Sequence, residues 1–171
     1  GNYRSLRANP INPGKLWLSK IVVLGYYQLL SSVVLIIAAA AAGLLTAGGS
    51  VPLLKIAAAS LLIWLVSLSL IPIHLFAAAR FGAFGGLALG IAAMPAGVLA
   101  AAKPYWIAVP WSWPTRLMAP LIGVHPNGVP LQPGDPMLEP STIPLGIAAS
   151  LLFLAASSAL TAGWFAGREV R

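Results

Sequence analysis

The chain has 171 residues, of which 59% are hydrophobic and 8% charged, with a mean hydropathy of +0.90 and a formal net charge of +7. Soluble domains carry about 25% charged residues, so a soluble globular fold is excluded and a single-domain, all-α integral membrane protein is expected. The absence of cysteine excludes disulfide scaffolds, thiol catalysis and cysteine-ligated metals.

In chain order, residues 1–15 are polar and basic, with Arg4, Arg7 and Lys15, and Pro10 and Pro13 turning the backbone. A start at Gly-Asn reads as the continuation of something longer. Four apolar segments follow, at 18–46, 53–79, 83–101 and 143–166, each long enough to cross a membrane as a helix. The first, free of charge from Ile21 to Ala47, corresponds to ~40 Å of helix, which predicts tilt or a protruding end. Its first half is the more polar, with Gly25, Gln28, Ser31 and Ser32. In the second segment Pro72 predicts a kink, and Ser60, Ser67 and His74 recur at a spacing that shares one helix face. Gly82, Gly86 and Gly90 predict a small-residue contact face on the third segment, and Gly146, Ser150, Ser157 and Thr161 a shared face on the fourth.

Between the third and fourth segments lies a different kind of sequence, residues 105–140. It holds eight of the fifteen prolines, three of the six tryptophans and two of the three carboxylates. Proline lacks the backbone N–H, so this stretch is not one continuous helix. Irregular backbone bare in lipid would lack partners, so it belongs at a membrane face or lining a cavity. TRLMAPLIGV (115–124) predicts a short helix broken at Pro120, and HPNGVPLQPGDP (125–136) is turn-forming throughout.

Four crossings place both ends on one side. That side carries Arg4, Arg7, Lys15, Lys20, Arg80, Arg168 and Arg171; the other carries Lys55, Lys103 and Arg116 with Asp135 and Glu139. The positive-inside rule then puts both ends in the cytoplasm and 105–140 outside. The same rule accounts for the positive charge, which is scattered over loops rather than gathered on a nucleic-acid-binding face.

No Walker A loop, HExxH pair or GxSxG elbow is present, so no catalytic residue, cofactor site or metal site is assigned and the chain does not read as an enzyme. A cluster of His125, Asp135 and Glu139 is the one conceivable metal set, and a solvated loop is the simpler account. His74 reads first as an interfacial or packing histidine and second as a substrate or proton site. Trp106, Trp111 and Trp113 read first as membrane anchors and second as ligand contacts.

YRSLRANPINPGKLWLSKI near the start, PWSWPTRLMAPLIGVHPNGVPLQPGDP between the last two segments and WFAGREVR at the end resemble the ABC-2 type permeases, most closely the lantibiotic-immunity branch. The resemblance implies helices three to six of a six-helix permease. It implies a cytoplasmic coupling connector at residues 3–16 and an outer re-entrant segment at 105–140. Expected partners are a separate ABC ATP-binding subunit holding ATP and Mg, a second permease chain and membrane lipid, with no nucleic acid. The expected location is the bacterial cytoplasmic membrane. The ATPase interface would fall on Tyr3, Arg4, Leu6, Arg7, Lys15 and Leu16, and contacts to a lantibiotic-like peptide on Trp106, Trp111, Trp113, His125, Asn127 and Gly128. The competing expectations are a structural or anchoring subunit without transport activity, a lipid-modifying enzyme, and an exporter of another cargo.

Overall fold

The structure is a computed structural model that describes residues 12–46 and 50–169. These residues form helices without a strand, apart from one isolated antiparallel bridge between Val124 and Pro130. In order they are α1 (Pro13–Thr46), α2 (Leu53–Ser67), a 3-10 turn (Leu68–Leu70), α3 (Ile71–Phe81), α4 (Ala83–Ala101), two 3-10 turns (Trp106–Ala108 and Pro110–Ser112), α5 (Trp113–Ile122), a 3-10 turn (Pro136–Leu138) and α6 (Thr142–Glu169). Four helical units are long and apolar enough to cross a membrane: α1, the α2–α3 pair, α4 and α6. That architecture is compatible with a multi-pass membrane protein.

The outward faces agree with a lipid solvent. Leu45, Leu54, Phe84 and Leu152 are among many large apolar side chains left exposed. In water such continuous apolar surface would drive association. Several hydroxyl groups of the long helices are satisfied locally. Ser32 donates to the Gln28 carbonyl at 3.1 Å, Ser157 to Phe153 at 2.6 Å and Thr161 to Ser157 at 2.7 Å. Back-bonding of this kind carries serine and threonine into an apolar medium at little cost.

At Pro72 the helix does not simply bend. The chain tightens into the 3-10 turn Leu68–Leu70 and restarts, with Pro72 in the first turn of α3, where a missing N–H is tolerated. The carbonyl of Leu68, whose ordinary partner would be the absent Pro72 N–H, accepts from the Ile71 N–H. Ser69 is buried and donates to the Val66 carbonyl at 2.6 Å.

The start of α1 and the end of α6 share one end of the bundle. Trp17, 1% exposed, stacks on Phe165 at 4.8 Å, meets Trp164 edge-on at 6.1 Å and donates its indole N–H to Thr161 at 2.9 Å. Phe76 of α3 also meets Trp164 edge-on, at 4.6 Å. Lys20 and Arg168 lie over the Phe165 and Trp164 rings, an arrangement in which cation and ring attract. Deeper in the bundle, α1 crosses α2 at Gly25, whose carbonyl accepts the Trp64 indole N–H at 3.0 Å.

The small-residue faces differ in use. Gly146, Ser150, Ser157 and Thr161 form a buried stripe along α6. On α4, Gly86 lies against Ala78 and Gly90 against His74, so both face α3. Gly82 does not join that face. It lies between α3 and α4 with φ +78°, a conformation that favours glycine, and turns the chain between them.

Candidate functional site

After Ala101 the backbone turns through Lys103, whose N–H donates to the Ala100 carbonyl at 2.9 Å. The following residues fold back on the bundle as two short 3-10 turns. Ser112 ties them together: its fully buried hydroxyl lies 2.8 Å from the carbonyls of both Trp106 and Val109. The Trp113 indole N–H donates to the Ile107 carbonyl at 3.0 Å.

The Pro110–Ser112 turn rests directly on α4 at Gly97, where a side chain would run into the Trp111 backbone. From that seat the Trp111 indole N–H reaches His74 of α3, donating to Nε2 at 3.2 Å, with the rings edge to face 6.4 Å apart. To accept, His74 Nε2 must be unprotonated. Helix α5 then packs beside α2 and α6. Leu117 is fully buried with Val66, Trp106 and Trp113, and closes over Gly146. Phe153 of α6 meets Trp113 edge-on at 5.5 Å. Two expectations are corrected here. Trp106 and Trp113 are 7% and 3% exposed, so both rings belong to the chain's own core rather than to a surface anchor. Helix α5 also runs through Pro120 to Ile122, because the lost N–H removes one bond near a helix end that Gly123, at φ +68°, closes three residues later.

A compact loop follows. The Gly128 N–H donates to the His125 carbonyl and the His125 N–H to that of Val129, both at 2.8 Å. Asn127 accepts from the Val129 N–H at 3.1 Å, so its side chain shapes the turn, and Gly128 adopts φ +86°. The carboxylates are used similarly. Asp135 Oδ1 accepts from the Met137 N–H at 2.8 Å, and Glu139 Oε1 from Ser141 at 3.3 Å. Among the described residues, no three histidine, aspartate or glutamate side chains come together to hold a metal.

The bend of the connector and this loop border a half-open cavity of about 450 Å³ beside the end of α4. Lys103, Trp106, Arg116, His125 and Asp135 line it, with Met137 in its wall. Arg116 is 7% exposed. Its Nη2 donates to the Pro136 carbonyl at 2.8 Å, and its guanidinium carbon lies 5.7 Å from the centre of the Trp106 ring. Burial pulls the guanidinium below its ordinary value, and the Asp135 carboxylate opposes this without cancelling it. Arg116 Nε and His125 Nδ1 are buried without a hydrogen-bond partner among the described residues.

Neither Lys103 nor Arg116 stood out in the sequence as a site residue. The available signal was a lone cation, Arg116, directly before the apolar run LMAPLI. No family model, curated protein or solved structure matches the chain. Of the residues expected at an ATPase interface, Tyr3, Arg4, Leu6 and Arg7 lie outside the described residues. Lys15 is exposed and Leu16 half-buried in the first turn of α1. Of those expected to touch a peptide, His125 faces the cavity, Trp111 faces His74, and Asn127 and Gly128 form the exposed tip of the loop.

Proposed function

We propose that the chain is a membrane-spanning permease subunit of an ABC exporter, moving lantibiotic-like or other amphipathic molecules out of the membrane with ATP hydrolysed by a separate subunit. The observation that supports this reading is the packing of the Pro110–Ser112 turn against α4 and α3, where Trp111 meets Gly97 and His74. A loop that merely joined two crossings would have no need of such contacts to both helices. In this reading 105–140 is an outer re-entrant segment, and motion between α3, α4 and this segment opens and closes a lateral path. Both chain ends lie in the cytoplasm of a bacterium. The aromatic cluster of Trp17, Phe76, Trp164 and Phe165 with Lys20 and Arg168 then sits at the cytoplasmic interface, where such rings and cations are enriched.

The coupling connector at residues 3–16 would pass the closure of the ATPase dimer into α1. Lys15 and Leu16 stand at the entry to that helix, within one turn of the buried Trp17. A push there reaches α6 through the Trp17–Thr161 hydrogen bond and the stacked Phe165. The broad exposed apolar faces suit a second permease chain, identical or sister, alongside lipid.

The test is purification of the full-length protein from its native membrane in mild detergent, with mass spectrometry of co-purifying chains. A stoichiometric P-loop ATPase, stimulated by candidate amphipathic peptides, is the expected result. No ATPase, under conditions that preserve a control transporter, would overturn the exporter reading in favour of an anchoring subunit.

A further inference from the structure

The cavity at the end of α4 carries an inference that is independent of the exporter reading. It contains Arg116, a residue more than nine-tenths buried, whose Nη2 bonds the Pro136 carbonyl and whose Nε is buried without a hydrogen-bond partner among the described residues. His125 Nδ1 in the same wall is also buried without a hydrogen-bond partner among the described residues. Buried polar nitrogens without partners are costly, more so when charged, so a site that pairs a buried arginine donor with a histidine nitrogen able to donate is complementary to an anionic acceptor. The nearest negative side chain does not fill that role. Asp135 points its Oδ1 at the Met137 N–H, and its attraction is outweighed by the desolvation of Arg116. Lys103 adds a second permanent positive charge to the lining.

We propose that this cavity binds a phosphate oxyanion, held by Arg116, Lys103 and His125 and supplied either by a phospholipid headgroup or by free phosphate. Its chemistry suits that ligand. Arginine presents several donors in a planar fork matched to phosphate oxygens, and lysine adds a point charge. The cavity volume of about 450 Å³ exceeds that of a single ion. Its apolar lining includes Ala102, Pro104 and Met137, against which glycerol and proximal acyl carbons pack. Trp106, with its ring centre 5.7 Å from the guanidinium carbon, helps to hold Arg116 in place. Asp135, held by the Met137 N–H, limits the net charge to a value that one phosphate neutralises.

The experiment uses the purified full-length protein, stripped of lipid and returned to nanodiscs of phosphatidylglycerol, or to micelles containing diacylglycerol, its phosphate-free counterpart. Native mass spectrometry reads the retained lipid, and thermal unfolding in millimolar inorganic phosphate reads the free ion. Retention of one phosphatidylglycerol but not diacylglycerol, with no effect of inorganic phosphate, assigns the site to a lipid headgroup. Stabilisation by inorganic phosphate without lipid retention assigns it to the free ion. Either result should weaken about tenfold in Lys103→Ala and in His125→Ala, one charge-assisted bond each. Those two residues lie at the bend and in the loop, so the variants bypass the folding risk of Arg116→Ala. Asp135→Asn keeps the acceptor for the Met137 N–H and removes the competing charge, so binding should tighten. Equal retention of diacylglycerol, binding unchanged in both alanine variants, or no binding of either probe would overturn the proposal.

Discussion

Replacing Gly97 with alanine tests how the connector is seated. A methyl group there would lie 2.7 Å from the Trp111 carbonyl carbon and 3.0 Å from its Cβ, with the carbonyl oxygen nearer still. The obstacle is backbone, which cannot swing aside as a side chain tip can. Overpacking of this kind costs about 1–3 kcal/mol. Gly90, on the same helix, is the internal control: there the nearest atom to a methyl is His74 Cε1 at 3.6 Å, an ordinary contact. Both substitutions gain the same ~1 kcal/mol of helix propensity. The two variants should therefore differ by about 1–3 kcal/mol, with Gly90→Ala at or above wild-type stability. Reversible unfolding in graded SDS gives the stabilities, and hydrogen exchange over residues 106–112 gives the location of the damage. If Gly97→Ala matched Gly90→Ala in stability and left the 106–112 amides equally protected, the turn would not rest on α4 and the reasoning would fail.

Four further outcomes are expected. Trp111→Phe and His74→Ala should each cost about 0.6 kcal/mol, at most about 1.7, with a non-zero coupling in the double variant; purely additive losses would exclude the hydrogen bond. Trp17→Ala removes a ring packed against Thr161, Trp164 and Phe165 and should cost about 3–5 kcal/mol by SDS unfolding, and a loss below 1 would show that the two chain ends are not joined there. Gln28 Oε1 is buried without a partner among the described residues, so Gln28→Leu should leave stability unchanged or raise it by about 1 kcal/mol, and a clear loss would reveal a hidden partner. Gly146→Ala meets Leu117, a side chain that can shift, so it should cost less than Gly97→Ala in the same titration.

Individual residues show where pattern reading ends. The α6 stripe of Gly146, Ser150, Ser157 and Thr161 was legible, because helical spacing alone puts those residues on one face and small polar residues suit helix contact. Gly82 broke its apparent series because the spacing cannot distinguish a helix face from the turn before it. Pro120 was misleading because a proline close to a helix end removes only one bond. Trp106 and Trp113 carried an interfacial signature, yet folding took both rings inside. Arg116 gave the weakest signal of the site, since a lone cation in a short apolar run has no meaning until its neighbours are known.

Composition and spacing alone determined that this chain builds four long apolar helices and that residues 105–140 stand apart from them. The physical reason is local: in an apolar medium each crossing must satisfy its own backbone, so each helix is written within its own segment. Only tertiary structure decided where the proline-rich segment goes, which indoles it buries, and that Lys103, Arg116, His125 and Asp135 share one cavity. Those residues are up to 32 positions apart, from 103 to 135. Their meeting depends on a turn seated at Gly97 and a helix closed at Gly123, which no periodicity along the chain encodes.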